Sequence, residues 1–168
     1  MVLATSSYQE LMGLAEQAAI AIKRQRILLV TAESCTGGAI AAMLTEIPGS
    51  SSWFDRGFVS YSNASKQDLL GVSAQTLERF GAVSEEVVRE MAQGAITGSN
   101  GHLSIAVSGV AGPDGGTADK PVGLVWIAWG QKRGYVEAQQ FQFSGDRQAV
   151  RAAAVGAALT GLIERLGG

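Results

Sequence analysis

The sequence holds one cysteine, one histidine and three prolines in 168 residues, and each scarcity excludes something. A lone Cys35 permits no internal disulfide and suits a reducing cytoplasm. A lone histidine leaves little for a His-containing metal site. His102 also precedes its predicted strand, so it stands about 20 Å from the loops beyond a six-residue strand. That makes it a surface residue and removes a Ser-His-Asp arrangement. Charged residues are also few, 17% with a net charge of −2, and they form no blocks, so there is no electrostatic footprint for nucleic acid. The longest nearly apolar stretch, Ala152 to Ile163, contains Gly156, Thr160 and Gly161 and is too short to span a bilayer. The opening MVLATSSYQE lacks the basic and apolar regions of a secretion signal.

What the chain has in excess is glycine, 22 residues, without a Gly-X-Y period or a Pro-rich linker to account for them. With 46% apolar residues, one domain with one core over residues 1–168 is expected, with no repeat and no linker.

Apolar residues at Tyr8, Leu11, Met12, Ala15, Ala19 and Ile22 mark a first helix, Tyr8 to Arg24. Ile27 to Ala32 reads as a strand covered on both faces, followed by the polar turn Glu33 to Gly38 and a helix from about Gly37 to Glu46. After a loop at residues 48–52, Gly57 to Ser62 reads as a strand and Ala64 to Leu70 as a short helix ended by Gly71. Ser84 with Glu85 and Glu86 opens a helix that ends near Gly98. Leu103 to Val107 is a strand running into SGVAGPDGG, Val122 to Trp129 and Tyr135 to Phe143 form a hairpin, and Arg147 to Arg165 is the last helix. The order implies a three-layer α/β/α sandwich with a mostly parallel sheet and antiparallel edge strands.

Ligands of such sheets bind at the carboxyl ends of the strands. Three polar segments qualify: Glu33 to Gly38, Tyr61 to Lys66, and Ser108 to Gly116. If their strands are parallel, all three share one sheet edge. The first sets Ser34, Cys35 and Thr36 at a strand-to-helix turn before Gly37 and Gly38, where backbone N–H groups suit a phosphate or an oxyanion. The same residues also fit plain N-capping.

A hydroxyl nucleophile needs a base, and Lys66 and Tyr61 are the candidates near the neighbouring strand end. A solvated lysine and a core-edge tyrosine are the structural alternatives. Cys35 rivals Ser34, because a thiol at a helix N-terminus has a depressed pKa. The Ser108 to Gly116 segment matches neither a P-loop nor a dinucleotide fingerprint, but Gly109, Gly112, Gly115 and Gly116 would let backbone approach a ligand. Arg147 and Arg151 share a face in the first turn of the last helix, against its dipole, which an anionic ligand or an Asp146 cap would offset. Trp126 and Trp129 on the hairpin suit either a homo-oligomer interface or core packing.

The motifs TAESCTGG (Thr31 to Gly38), SYSNASK (Ser60 to Lys66), SGVAGPDGG (Ser108 to Gly116), KPVGLVW (Lys120 to Trp126) and FSGDR (Phe143 to Arg147) resemble, in this order and over nearly the whole chain, the C-terminal domain family of the competence/damage-inducible protein CinA. That family includes nicotinamide mononucleotide deamidases of bacteria. The resemblance implies a stand-alone form of a domain that larger relatives join to a molybdopterin-binding-type domain. It implies hydrolysis of the nicotinamide mononucleotide carboxamide to nicotinate mononucleotide and ammonia, in pyridine nucleotide recycling in the cytoplasm, with no metal and no cofactor. By the same resemblance Ser34 is the nucleophile, Lys66 and Tyr61 assist it, and Ser108 and Arg147 line the pocket, with Arg147 toward the phosphate on charge grounds. Thr36, Gly37, Gly38 and the four loop glycines complete the expected substrate contacts. A non-catalytic nucleotide-binding module and an amidase for another small amide are the alternative readings.

Overall fold

A computed structural model describes residues 7–168; residues 1–6, part of the stretch read for a secretion signal, lie outside the described residues. The elements run α1 (Tyr8–Gln25), β1 (Leu29–Glu33), α2 (Ala39–Thr45), a 3-10 turn (Ser50–Ser52), β2 (Phe54–Val59), α3 (Asn63–Leu70), α4 (Ala74–Phe80), α5 (Glu85–Thr97), β3 (Leu103–Gly109), β4 (Leu124–Gln131), β5 (Val136–Gln142) and α6 (Arg147–Arg165). The sheet order is β2-β1-β3-β4-β5. β1 pairs in parallel with β2 and β3, whereas β3–β4 and β4–β5 are antiparallel. The expected α/β/α sandwich is therefore present, with its antiparallel strands gathered on one side of the sheet.

Two apolar layers hold it. Leu29, Ile105 and Ile127 face a cluster completed by Ile22, Ile40, Leu159 and Leu162, which seats α1, α2 and α6. Val30, Ala106 and Ala128 face Val88, Met91 and Ala95 of α5, with Leu70 and Leu77 beside them. Trp129 belongs to the first layer and its Nε1–H donates to the Ala158 carbonyl at 3.0 Å, so this tryptophan packs the core. Trp126 is partly buried against the second layer. Among the described residues no helix is long and apolar enough to cross a membrane.

Five helices take their N-cap from their own sequence. Ser7, Ser62, Ser73, Ser84 and Asp146 accept from the third backbone N–H beyond them, each worth about 1 kcal/mol. The Asp146 cap answers the arginines in the first turn of α6. α2 differs: Gly38 stands at its N-cap, φ 97°, with no side chain to offer.

Three readings shift. β2 lies three residues earlier than expected, because the Ser60 N–H donates the last bond to the Glu33 carbonyl at 2.9 Å and Ser62 already caps α3. Glu33 ends β1 and is no turn residue. α4 is an additional helix, seven residues with one buried side chain, Leu77.

Candidate active site

The parallel pairing aligns Glu33 with Val59 on one side and Val107 on the other, so the three polar segments do leave the sheet at one edge. Ser34 follows β1 directly. Its N–H donates to the Val107 carbonyl at 3.0 Å, which fixes the backbone at the nucleophile candidate, and its side chain is 8% exposed.

Lys66 sits in the first turn of α3, whose start Ser62 fixes by capping Ser65 N–H at 3.0 Å. That turn aims the side chain inward, 1% exposed. Nζ lies 3.0 Å from Ser34 Oγ and donates to the carbonyls of Ser60 and Tyr61 at 2.9 Å each. Burial pushes its pKa below the ordinary lysine value; a thiolate at Cys35 would raise it again. That thiolate is scarce at neutral pH. Cys35 is enclosed and burial pushes its thiol up to about 11, although its own backbone N–H and Arg151 pull the other way. The depressed thiol pKa expected at a helix N-terminus is thus reversed: Cys35 packs in the apolar layer beneath α2.

The helix N-terminus itself is occupied. Glu33, 0% exposed, accepts from the N–H groups of Ile40 at 2.8 Å and Ala41 at 3.0 Å, supplying the cap that Gly38 lacks. Arg151 holds the same turn from the other side, Nε to the Cys35 carbonyl at 3.1 Å and a terminal nitrogen to the Thr36 carbonyl at 3.0 Å. Gly37 (φ 59°) and Gly38 adopt the left-handed backbone that bends the chain into α2. Thr36 is fully enclosed and its Oγ1 has no hydrogen-bond partner among the described residues.

Arg147 bridges the other two segments, donating to the Gly112 carbonyl at 2.7 Å and to the Tyr61 hydroxyl at 2.9 Å. Tyr61 therefore serves Lys66 through its main-chain carbonyl, while its side chain, 58% exposed, points to Arg147. Ser108 is buried and its hydroxyl donates to the Ala82 carbonyl at 2.8 Å. The loop glycines have a packing reason. A Cβ on Gly109 would come within 2.6 Å of Val125, one on Gly112 (φ 83°) within 2.5 Å of Val122, and one on Gly116 within 2.9 Å of Val122, whereas Gly115 has room for a Cβ but a left-handed φ of 87°. His102 is exposed and its Nδ1 accepts from Leu28 N–H at 3.0 Å, at the opposite sheet edge.

Two residues escaped the sequence reading in their roles. Glu33 was legible in one respect: a helix start preceded by two glycines has no cap of its own, so its N–H groups require another acceptor. Arg151, for which the sequence leaves an anionic ligand and an Asp146 cap as alternatives, binds the protein's own carbonyls.

The family described as CinA C-terminal domain matches residues 11–166. Over 145 residues the chain is 54% identical to a protein of Enterobacter agglomerans named nicotinamide-nucleotide amidohydrolase PncC, covering 86% of this chain and 88% of that one. Over 150 residues it is 51% identical to the protein of that name from Escherichia coli K12, covering 89% and 91%. The crystal structure of a competence/damage-inducible protein from Agrobacterium tumefaciens superposes with a TM-score of 0.91 at 43% identity, covering both chains completely.

Proposed function

The chain belongs to the CinA C-terminal domain family, and on that premise we propose that it is an amidohydrolase converting nicotinamide mononucleotide to nicotinate mononucleotide and ammonia. One observation carries the chemistry. Lys66 Nζ has three polar neighbours, of which two are carbonyls that can only accept. A neutral amine has two hydrogens and one lone pair. With the hydrogens on Ser60 and Tyr61, the lone pair faces Ser34 Oγ, and burial favours that uncharged form.

Ser34 Oγ then attacks the carboxamide carbon while its proton passes to Lys66. The carbonyl oxygen becomes an oxyanion. Of the N–H groups at the turn, those of Gly37, Ala39, Ile40 and Ala41 already have acceptors, which leaves those of Cys35, Thr36 and Gly38 to hold it. The C–N bond breaks as Lys66 returns its proton to the leaving nitrogen, and ammonia departs from an ester on Ser34. Water attacks that ester, again giving a proton to Lys66, and nicotinate mononucleotide leaves as the Ser34 hydroxyl is restored.

Arg147 lies at the exposed rim between Tyr61 and the Gly112 carbonyl, placed to give a free N–H to the 5′-phosphate. On this reading the partner is a small nucleotide of pyridine nucleotide recycling.

The test is ammonia release from nicotinamide mononucleotide by the purified protein and by Ser34→Ala. Release by the former alone supports the reading; tight binding without ammonia from the unaltered protein makes it a binding module instead.

A further inference from the structure

We propose that Glu33 and Arg151 are positioning residues that act together on the Ser34 to Gly38 turn, an inference that rests on the role of Ser34 given above. The turn is held by opposite charges on its opposite polar groups. Glu33 takes two N–H groups at the start of α2, and Arg151 takes the carbonyls of Cys35 and Thr36. Neither charge is matched by the other kind of side chain: none of the ion pairs among the described residues involves Glu33 or Arg151. A carboxylate with no exposure and no cation is costly unless backbone donors replace its water, and both of its oxygens have one.

The arrangement is also selective. Glu33 and Arg151 bind different groups, Glu33 the Ile40 and Ala41 N–H groups and Arg151 the Cys35 and Thr36 carbonyls. The Cys35, Thr36 and Gly38 N–H groups stay without a partner among the described residues. Glu33 is moreover the residue before Ser34, so its carboxylate ties the end of β1, where the nucleophile stands, to the start of α2. Two left-handed glycines in succession give the turn little stiffness of its own. Two backbone bonds close it, Gly37 N–H to the Ser34 carbonyl and Ala39 N–H to the Thr36 carbonyl at 3.0 Å each, and the two side chains add four more from outside it.

Such residues govern the transition state and leave ground-state binding alone. In Glu33→Gln one acceptor oxygen becomes an NH2 facing a backbone N–H, so the turn relaxes while its size is kept. Turnover of nicotinamide mononucleotide by Glu33→Gln should fall by roughly tenfold or more, with KM within about threefold of the unaltered protein. Covalent labelling of Ser34 by phenylmethylsulfonyl fluoride, followed by intact mass, should slow in step. Arg151→Ala should behave alike, and millimolar guanidinium in solution should restore part of its rate. If Glu33→Gln fails to fold, Arg151→Ala with its guanidinium rescue decides.

A folded Glu33→Gln with turnover and labelling within about twofold of the unaltered protein, or a loss carried wholly by KM, overturns the inference. Absence of guanidinium rescue removes Arg151 from it. Should the unaltered protein release no ammonia, the substrate reading fails, and the labelling rates still judge the positioning.

Discussion

Lys66 Nζ lies 3.0 Å from Ser34 Oγ across 32 residues of sequence, with the Ser60 and Tyr61 carbonyls closing its other directions. A base held this way is replaceable only by another group that can be uncharged. Lys66→Arg keeps a cation and donors to both carbonyls but cannot lose its proton, so it should be as inactive as Lys66→Ala. Both should lower kcat by about 10² to 10⁴, the usual yield of general base catalysis, with KM much less affected. Activity retained in Lys66→Arg would mean that the lysine serves only as a charge.

The depressed Lys66 pKa has two pH signatures. As a base it must be neutral, so kcat/KM should rise with pH through the folded-state pKa and level off below the ordinary lysine range. Stability changes in the same direction. Between the lowered folded pKa and the unfolded value the unfolded chain binds more protons, so unfolding becomes harder as pH rises through that window and easier as it falls. Denaturant titrations across the alkaline range should show this slope in the unaltered protein and lose it in Lys66→Met.

Much of this site was legible because strands with apolar runs end at definite places. Ser34 and Lys66 both follow such ends, and parallel pairing brings them together. The edge strand β2 was harder to bound. Its six residues, FDRGFV, are only partly buried or exposed and do not alternate cleanly, so sequence patterning slid it toward the polar segment that follows. α4 escaped because its stripe is a single buried leucine. The role of Arg151 was out of reach for another reason: its partners are the main-chain carbonyls of Cys35 and Thr36, which no side-chain pattern records.

Cys35 should be a bystander. Its thiol is buried and pushed up to about 11, so the thiolate that alkylating reagents need is nearly absent at pH 7.5. Iodoacetamide should modify it far more slowly in the folded protein than in guanidinium chloride, and Cys35→Ala should keep ammonia release within about threefold. Loss of activity in that variant, with Ser34→Ala still active, would exchange the two residues' roles.

Arg147 tests the phosphate. Its two observed bonds run to Gly112 O and Tyr61 Oη, on the exposed side of the site. Arg147→Ala should raise KM for nicotinamide mononucleotide by roughly tenfold, about 1.4 kcal/mol, and leave kcat/KM for nicotinamide riboside, which lacks the phosphate, nearly unchanged. Equal losses on both substrates would show that Arg147 acts by holding Tyr61 and the Gly112 loop. Tyr61→Phe, which removes the hydroxyl and keeps the carbonyl under Lys66, would then reproduce them.

A glycine of α5 lets the helix that carries Lys66 pack closely. α3 ends against α5 at Gly94, where an added Cβ would stand 1.8 Å from the Leu70 carbonyl oxygen, an overlap only backbone movement relieves. Gly94→Ala should therefore destabilise the fold by about 3 kcal/mol or more, at the upper end for overpacked sites, lowering Tm by roughly 6 to 12 °C for a chain of this length. Because α3 carries Lys66 in its first turn, the displacement should reduce kcat in the fraction that stays folded. Gly13→Ala is the control. Nothing lies within 4 Å of its Cβ on α1, so helix propensity alone operates and stability should rise by about 0.5 to 1 kcal/mol. Thermal unfolding of the two variants separates a glycine required by helix contact from one that is merely tolerated. An unchanged Tm in Gly94→Ala would refute the α3–α5 packing described for this fold.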